Sequence, residues 1–98
     1  MNIVKNIENG KVVLEIAGRL DTTTAPELEK ELENLLSEAN ELVFDMSELE
    51  YISSAGLRVL LKAQKTMNVK GNMKVTHVTE SIMEVFEITG FLDILTIE

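Results

Sequence analysis

The chain has 98 residues, 45% hydrophobic and 27% charged, with a formal net charge of −8 and no cysteine. That length supports one hydrophobic core and therefore one domain, spanning residues 1–98. Lack of cysteine excludes a disulfide scaffold, a thiolate metal site and thiol catalysis, and the negative charge argues against direct binding to nucleic acid or an anionic membrane.

No apolar run approaches the ~20 residues that span a bilayer, and the N-terminus carries no signal-peptide pattern. An ordinary globular protein in the cytoplasm is expected. Aromatic residues are scarce, so Leu, Ile, Val and Met must fill the core. Acids crowd the stretch from Glu27 to Glu50, in which Lys30 is the only base. A solvated face accounts for such a run, and a basic protein partner is the alternative.

In chain order, Asn2 to Glu8 and Lys11 to Ala17 flank Asn9-Gly10, a pair that favours the positive φ angles of a type I′ turn and predicts a β-hairpin. Val12, Leu14 and Ile16 share one face of the second strand, and Val13, Glu15 and Ala17 the other. The first strand is polar enough to be an edge. Gly18 to Thr23 leads into a helix. Thr24-Ala25-Pro26-Glu27 fits a capping box with proline in the first turn, and Ala25, Leu28, Leu32, Leu35 and Leu36 form the apolar stripe.

The next stretch is the most informative. Leu42, Val43 and Phe44 form an apolar run ending at Asp45, as in a strand buried on both faces. A loop from Met46 to Tyr51 follows, then Ile52-Ser53-Ser54-Ala55-Gly56-Leu57. Leu57, Leu60, Leu61 and Gln64 recur at helical spacing, with Arg58, Lys62 and Lys65 on a solvated stripe. Ser53 or Ser54 is placed to cap this helix. One reading of the pair is a plain N-cap. The other is a regulated site, because a phosphate there would face free N–H groups at the positive end of the helix dipole.

Beyond a turn at Asn68 to Asn72, Lys74 to Val78 reads as a strand. Thr79 is placed to cap a helix carrying Ile82, Val85 and Phe86 on one face, and Gly90 ends it. Ile94 to Ile97 reads as a last strand. The order β-β-α-β-α-β-α-β predicts an α/β domain: a mixed, mostly parallel sheet of about five strands, with helices packed on it through right-handed crossovers.

The stretch Leu42-Val-Phe-Asp-Met-Ser-Glu-Leu-Glu-Tyr-Ile-Ser-Ser-Ala-Gly-Leu-Arg-Val-Leu-Leu61 resembles the central motif of the STAS family, the sulfate transporter and anti-sigma factor antagonist domains. Gly18-Arg-Leu-Asp-Thr-Thr-Thr-Ala-Pro-Glu-Leu28 resembles the same family's earlier motif, and Gly90-Phe-Leu-Asp93 its closing segment. The resemblance covers essentially the whole chain and is closest in size to stand-alone bacterial antagonists of anti-sigma factors. Their motif usually reads Asp-Ser-Ser/Thr/Ala-Gly-Leu, with its first Ser the phosphate acceptor. Aligned on Gly56-Leu57, the implied acceptor is Ser54, with Ser53 the second choice and standing where the usual Asp would be.

Open α/β sheets gather their sites beyond the carboxyl ends of strands. Three such ends, Leu20-Asp21-Thr22, Asp45-Met46-Ser47 and Ser53-Ser54, are expected on one rim. Asp45 as phospho-acceptor or Asp21 as base would make an enzyme. Against that, no second acid adjoins Asp45, no phosphate-binding glycine loop is present, and the only histidine, His77, sits in a predicted strand with no evident link to Ser54. No catalytic residue, metal or cofactor is expected.

A binding module would use the same rim for docking, through Asp21, Thr22, Asp45, Ser53, Ser54, Ala55, Leu57 and Arg58. The resemblance implies a partner: an anti-sigma factor that is itself a serine kinase of the histidine-kinase-like ATPase fold. The unphosphorylated chain would bind it and free its sigma factor, phosphorylation of Ser54 would end binding, and a serine phosphatase would reset the switch. The alternative is a STAS module acting on a non-sigma partner, such as a response-regulator phosphatase or a stressosome-like assembly.

Overall fold

A computed structural model describes residues 1–98. The hairpin forms as its turn chemistry requires. β1 (Asn2–Glu8) and β2 (Lys11–Leu20) pair antiparallel around Asn9 and Gly10, whose φ angles are 49° and 81°. Both values lie in the left-handed region that Asn and Gly tolerate best. β1 is an edge of the sheet, as its polarity predicts.

α1 (Ala25–Leu35) follows, then β3 (Glu41–Asp45), β4 (Leu49–Ile52), α2 (Ser54–Lys70), β5 (Asn72–Thr76), α3 (Glu80–Thr89) and a 3₁₀ turn at Phe91–Asp93. The sheet has five strands in the order β1-β2-β3-β5, with β4 pairing β2 alone. β3, β4 and β5 all run parallel to their neighbours. The expected mixed, mostly parallel sheet under three helices is therefore what the chain builds.

Two elements differ from expectation. The stretch Met46 to Tyr51 is not all loop, because Leu49–Ile52 pairs with the far end of β2. β2 is long enough for two parallel partners in succession: β3 lies against residues 11–15 and β4 against residues 18–20. Only Leu49 and Ile52 of β4 are buried, so its apolar signal is short. The strand expected at Ile94–Ile97 shrinks to a single parallel bridge between Val75 and Ile97, held by Val75 N–H to Thr96 O and Glu98 N–H to Val75 O. The N–H groups of Ile94 and Leu95 turn back to Phe91 O, which commits the first half of that stretch to the 3₁₀ turn before it rather than to the sheet.

One contiguous core joins one face of the sheet to the helices. Val12, Leu14, Ile16, Leu42 and Phe44 meet Leu28 and Leu32 of α1, Leu60 and Met67 of α2, and Ile82 and Phe86 of α3. Burying such side chains is worth ~1.5–3 kcal/mol each before entropy is charged. α2 continues through Asn68 to Lys70, past the expected turn, and β5 begins two residues earlier than expected. Gly90, at φ 81°, closes α3 as expected.

Candidate functional site

β2 and β4 end side by side, and their ends start the two helices that flank the site. Ser53 N–H donates to Leu20 O at 2.9 Å, so the Asp21 turn and the serine pair share one rim. Gly56 lets α2 sit close to it. A Cβ there would lie 2.7 Å from Leu20 Cγ and 2.9 Å from Ile52 Cγ1, tighter than packed atoms allow.

The α1 start is closed. Asp21 Oδ1 accepts N–H bonds from Thr23 at 3.0 Å and Thr24 at 3.1 Å, and Asp21 O accepts from Ala25 N–H. Pro26 has no N–H to satisfy, and Glu27 N–H reaches Thr24 O. The capping box expected at Thr24 does not form. Its hydroxyl instead accepts from Asp21 N–H and donates to Arg19 O at 2.7 Å, so Asp21 supplies the cap. The backbone N–H of Thr24, with lesser help from Thr23, the Thr24 hydroxyl and Arg19, holds the Asp21 carboxyl below the usual aspartate range. Arg19 stands 3.6 Å from that carboxylate and stacks over the Tyr51 ring at 4.1 Å.

The α2 start is open. Ser53 is the N-cap, in extended backbone, and its Oγ accepts from Gly56 N–H at a long 3.5 Å. Ser54 is the first helical residue and is exposed. Its hydroxyl has no partner within the chain, and neither do the N–H groups of Ser54 and Ala55. At Thr79, where α3 begins, the hydroxyl likewise makes no cap bond.

Two expected docking residues are placed elsewhere. Leu57 is 7% exposed and belongs to the core, because it lies on the buried stripe of α2 with Leu60 and Gln64. It offers a partner little surface. Asp45 is set back from the serines. It pairs in register with Glu15 whereas Ile52 pairs with Leu20, a separation of ~17 Å at the rise of a strand. Asp45 accepts from Ser47 N–H and stands 3.6 Å from Nδ1 of His77, an exposed residue just past β5 with φ 56°. The single rim expected from strand order is thus two stepped ledges. Asp21, Thr22, Ser53, Ser54 and Ala55 share the upper one, with Arg58 one turn along α2.

Beside the serine ledge, α1 and α2 enclose a groove of about 450 Å³. Its apolar lining comes from Ala25, Ala55, Val59 and Leu61, with Thr22 at the serine end. Arg58, Lys62 and Lys65 line it from α2, and Glu29 is its only acid. Lys62 Nζ bridges to Glu29 Oε1 at 2.9 Å, and that hydrogen bond raises the Lys62 pKa. Helical period alone assigns these cations to a solvated stripe. Their i, i+4, i+7 spacing in so acidic a chain was the signal available.

Comparison with known proteins agrees with this architecture. A profile of the STAS domain matches residues 2–98. BtrV of Bordetella bronchiseptica, named as a candidate anti-sigma factor antagonist, is 34% identical over 99% of this chain and 85% of its own length. The anti-sigma-B factor antagonist of Bacillus subtilis is 33% identical over 99% of this chain and 92% of its own. Among solved structures, the anti-sigma factor antagonist SpoIIAA superposes in its unphosphorylated form with a TM-score of 0.85, at 14% identity over 99% of this chain and 88% of that one. In its phosphorylated form the Bacillus protein superposes at 0.78, with 14% identity over 99% and 91%. The sheet architecture and the family profile agree, and the chain belongs to the STAS domain family.

Proposed function

We propose that this chain is an anti-sigma factor antagonist, a cytoplasmic binding module switched by phosphorylation at Ser54. Unphosphorylated, it binds an anti-sigma factor serine kinase of the histidine-kinase-like ATPase fold and frees the sigma factor. Phosphorylated, it lets go, and a serine phosphatase restores it. Relatives about one-third identical across nearly the full chain carry the antagonist name, and SpoIIAA, which shares the fold, exists in a phosphorylated form.

The observation that carries the reading is the open start of α2. The Ser54 hydroxyl is exposed and unbonded at the first helical position, next to two N–H groups with no partner. A phosphate of about −1.5 to −2 charge placed there faces the positive end of the helix. In a docked interface the same dianion meets like charge or loses its water, at a cost of several kcal/mol. Ser53 Oγ, turned inward to Gly56 N–H, is the poorer acceptor.

A catalytic role has little support. The Asp21 carboxylate is committed to capping, and the His77–Asp45 pair sits on the other ledge, away from Ser54.

Recovery of the tagged chain from its native cells, with intact-mass analysis and site mapping, tests the reading. Co-purification of a sigma-binding kinase, with phosphate mapped to Ser54, is expected. Ser54→Asp should abolish that recovery and Ser54→Ala should keep it. A response-regulator phosphatase or a stressosome-like assembly in place of the kinase, with no phosphate at Ser54, would replace the reading with a non-sigma one.

A further inference from the structure

We propose that the groove between α1 and α2 takes an acidic, apolar-anchored segment of the protein partner, with its carboxylates on Arg58 and Lys65, and that a phosphate on Ser54 closes this site by claiming Arg58. The proposal rests on the antagonist reading for the partner's identity, and the groove's chemistry stands on its own.

Charge distribution is the first support. The chain has 9 Lys and Arg against 17 Asp and Glu, yet three of those cations line one groove that holds a single acid. That acid, Glu29, is engaged by Lys62. Arg58 and Lys65 have no carboxylate partner in the chain; Lys11, Lys30 and Lys70 lack one too, but only Arg58 and Lys65 combine that freedom with a place in the groove. Two cations are left free over an apolar floor, and they complement carboxylates carried on a segment with its own apolar anchor. An unpaired Arg also offers a planar fork suited to carboxylate. The volume is of the size that specific sites use, within roughly 300–1,000 Å³. Two free cations on a chain of net charge −8 are a poor footprint for a polyphosphate strand or an anionic bilayer, which need broad positive surface.

Helix geometry supplies the link to the switch. Ser54 and Arg58 are four residues apart on α2, hence neighbours on one face, with Cβ atoms about 5–6 Å apart. A phosphate on Ser54 reaches the Arg58 guanidinium directly and forms a charge-assisted pair with it across one turn of the helix. The groove then loses one of its two free cations and gains a dianion at its mouth, beside Ala55 and Thr22. Phosphorylation would thereby act by competition for Arg58 as well as by repulsion.

The test uses the full chain and amide NMR with a capped synthetic peptide alternating Glu and Leu. Saturable shifts at Ala25, Ala55, Val59 and Lys65 are expected. A peptide with Gln in place of Glu should bind at least about 10-fold more weakly, and Arg58→Gln or Lys65→Gln should each weaken the Glu peptide several-fold. Both side chains are exposed, so the variants should keep the wild-type amide spectrum elsewhere. With phosphoserine installed at position 54 by chemical ligation, the Glu peptide should bind about 10-fold more weakly, and phosphorus NMR should show a second phosphate pKa lower than in the same protein carrying Arg58→Gln.

No saturable binding, shifts scattered over the surface, equal affinity for the Gln peptide, or tighter binding of an oligothymidylate or of phosphatidylglycerol vesicles would overturn the groove assignment. An identical phosphate titration in the two phosphoproteins would overturn the Arg58 link. Neither measurement uses an anti-sigma factor, so a failed antagonist reading would leave both results standing. If an anti-sigma factor bound Arg58→Gln as tightly as wild type, the groove assignment would fail and the Ser54 switch would stand.

Discussion

Two helix starts lie side by side at the end of the sheet, and they are finished in opposite ways. At α1, each backbone N–H from Thr23 to Leu28 has a partner or, at Pro26, does not exist; Asp21 is the hub of that arrangement. At α2, one long hydrogen bond from Gly56 to Ser53 Oγ is the whole side-chain cap, and Ser54 leaves both its N–H and its hydroxyl free. Orphan N–H groups at a helix start normally find a cap. One start is therefore built for stability and its neighbour is left chemically unfinished, and the unfinished one can take an anion. In the proposed switch, the closed start would fix the wall beside the open one.

The comparison can be broken most severely where α2 meets the sheet. Gly56→Ala puts a methyl within 2.7 Å of Leu20 Cγ and should destabilise the fold by about 1–3 kcal/mol, read from urea denaturation. A stability loss under about 0.5 kcal/mol would mean that the helix start seats more loosely than described.

Asp21→Ala opens the closed start and should lower the melting temperature by about 5 °C. The Asp21 pKa is lowered in the folded chain. Its ionised form therefore contributes stability above the ordinary aspartate pKa, and that contribution is lost as pH falls through the depressed value. Asp21→Asn keeps an acceptor oxygen but does not titrate. Its stability deficit against wild type should be largest near neutrality and vanish in acid, as followed by chemical denaturation across pH.

Ser53→Ala removes only the long 3.5 Å bond, and a loss of about 0.5 kcal/mol is expected, at the low end for a cap. Ser54→Ala removes a hydroxyl with no partner and should change stability by less than about 0.5 kcal/mol. A larger loss at Ser54 than at Ser53 would reverse the assignment of cap and free hydroxyl.

Local chemistry was legible where one or two residues decide it. Asn9-Gly10 and Gly90 fix their turn and helix end through backbone preference alone, and the stripes Val12-Leu14-Ile16 and Leu28-Leu32-Leu35 follow from period. At Thr24 residue type alone suggests a capping box, and residue type does not say which side chain faces the free N–H groups. With Pro26 lacking an N–H, the cap passed to Asp21, three residues upstream. β4 and the position of Asp45 depend on how far β2 extends beyond β3, a non-local length that no single stretch of sequence states. Leu57 adjoins the serine pair in sequence, but its spacing with Leu60 and Gln64 puts it in the core. The groove lay hidden because its two walls are far apart in sequence, although the cations on one of them were plainly spaced.

The most direct test of the central claim is a calorimetric titration of an anti-sigma factor kinase recovered with the chain, against the unmodified chain and against the chain carrying phosphoserine at position 54. The unmodified chain should bind, and the phosphorylated chain should bind about 100-fold more weakly, as a penalty of a few kcal/mol requires. Equal affinity for the two forms would contradict it.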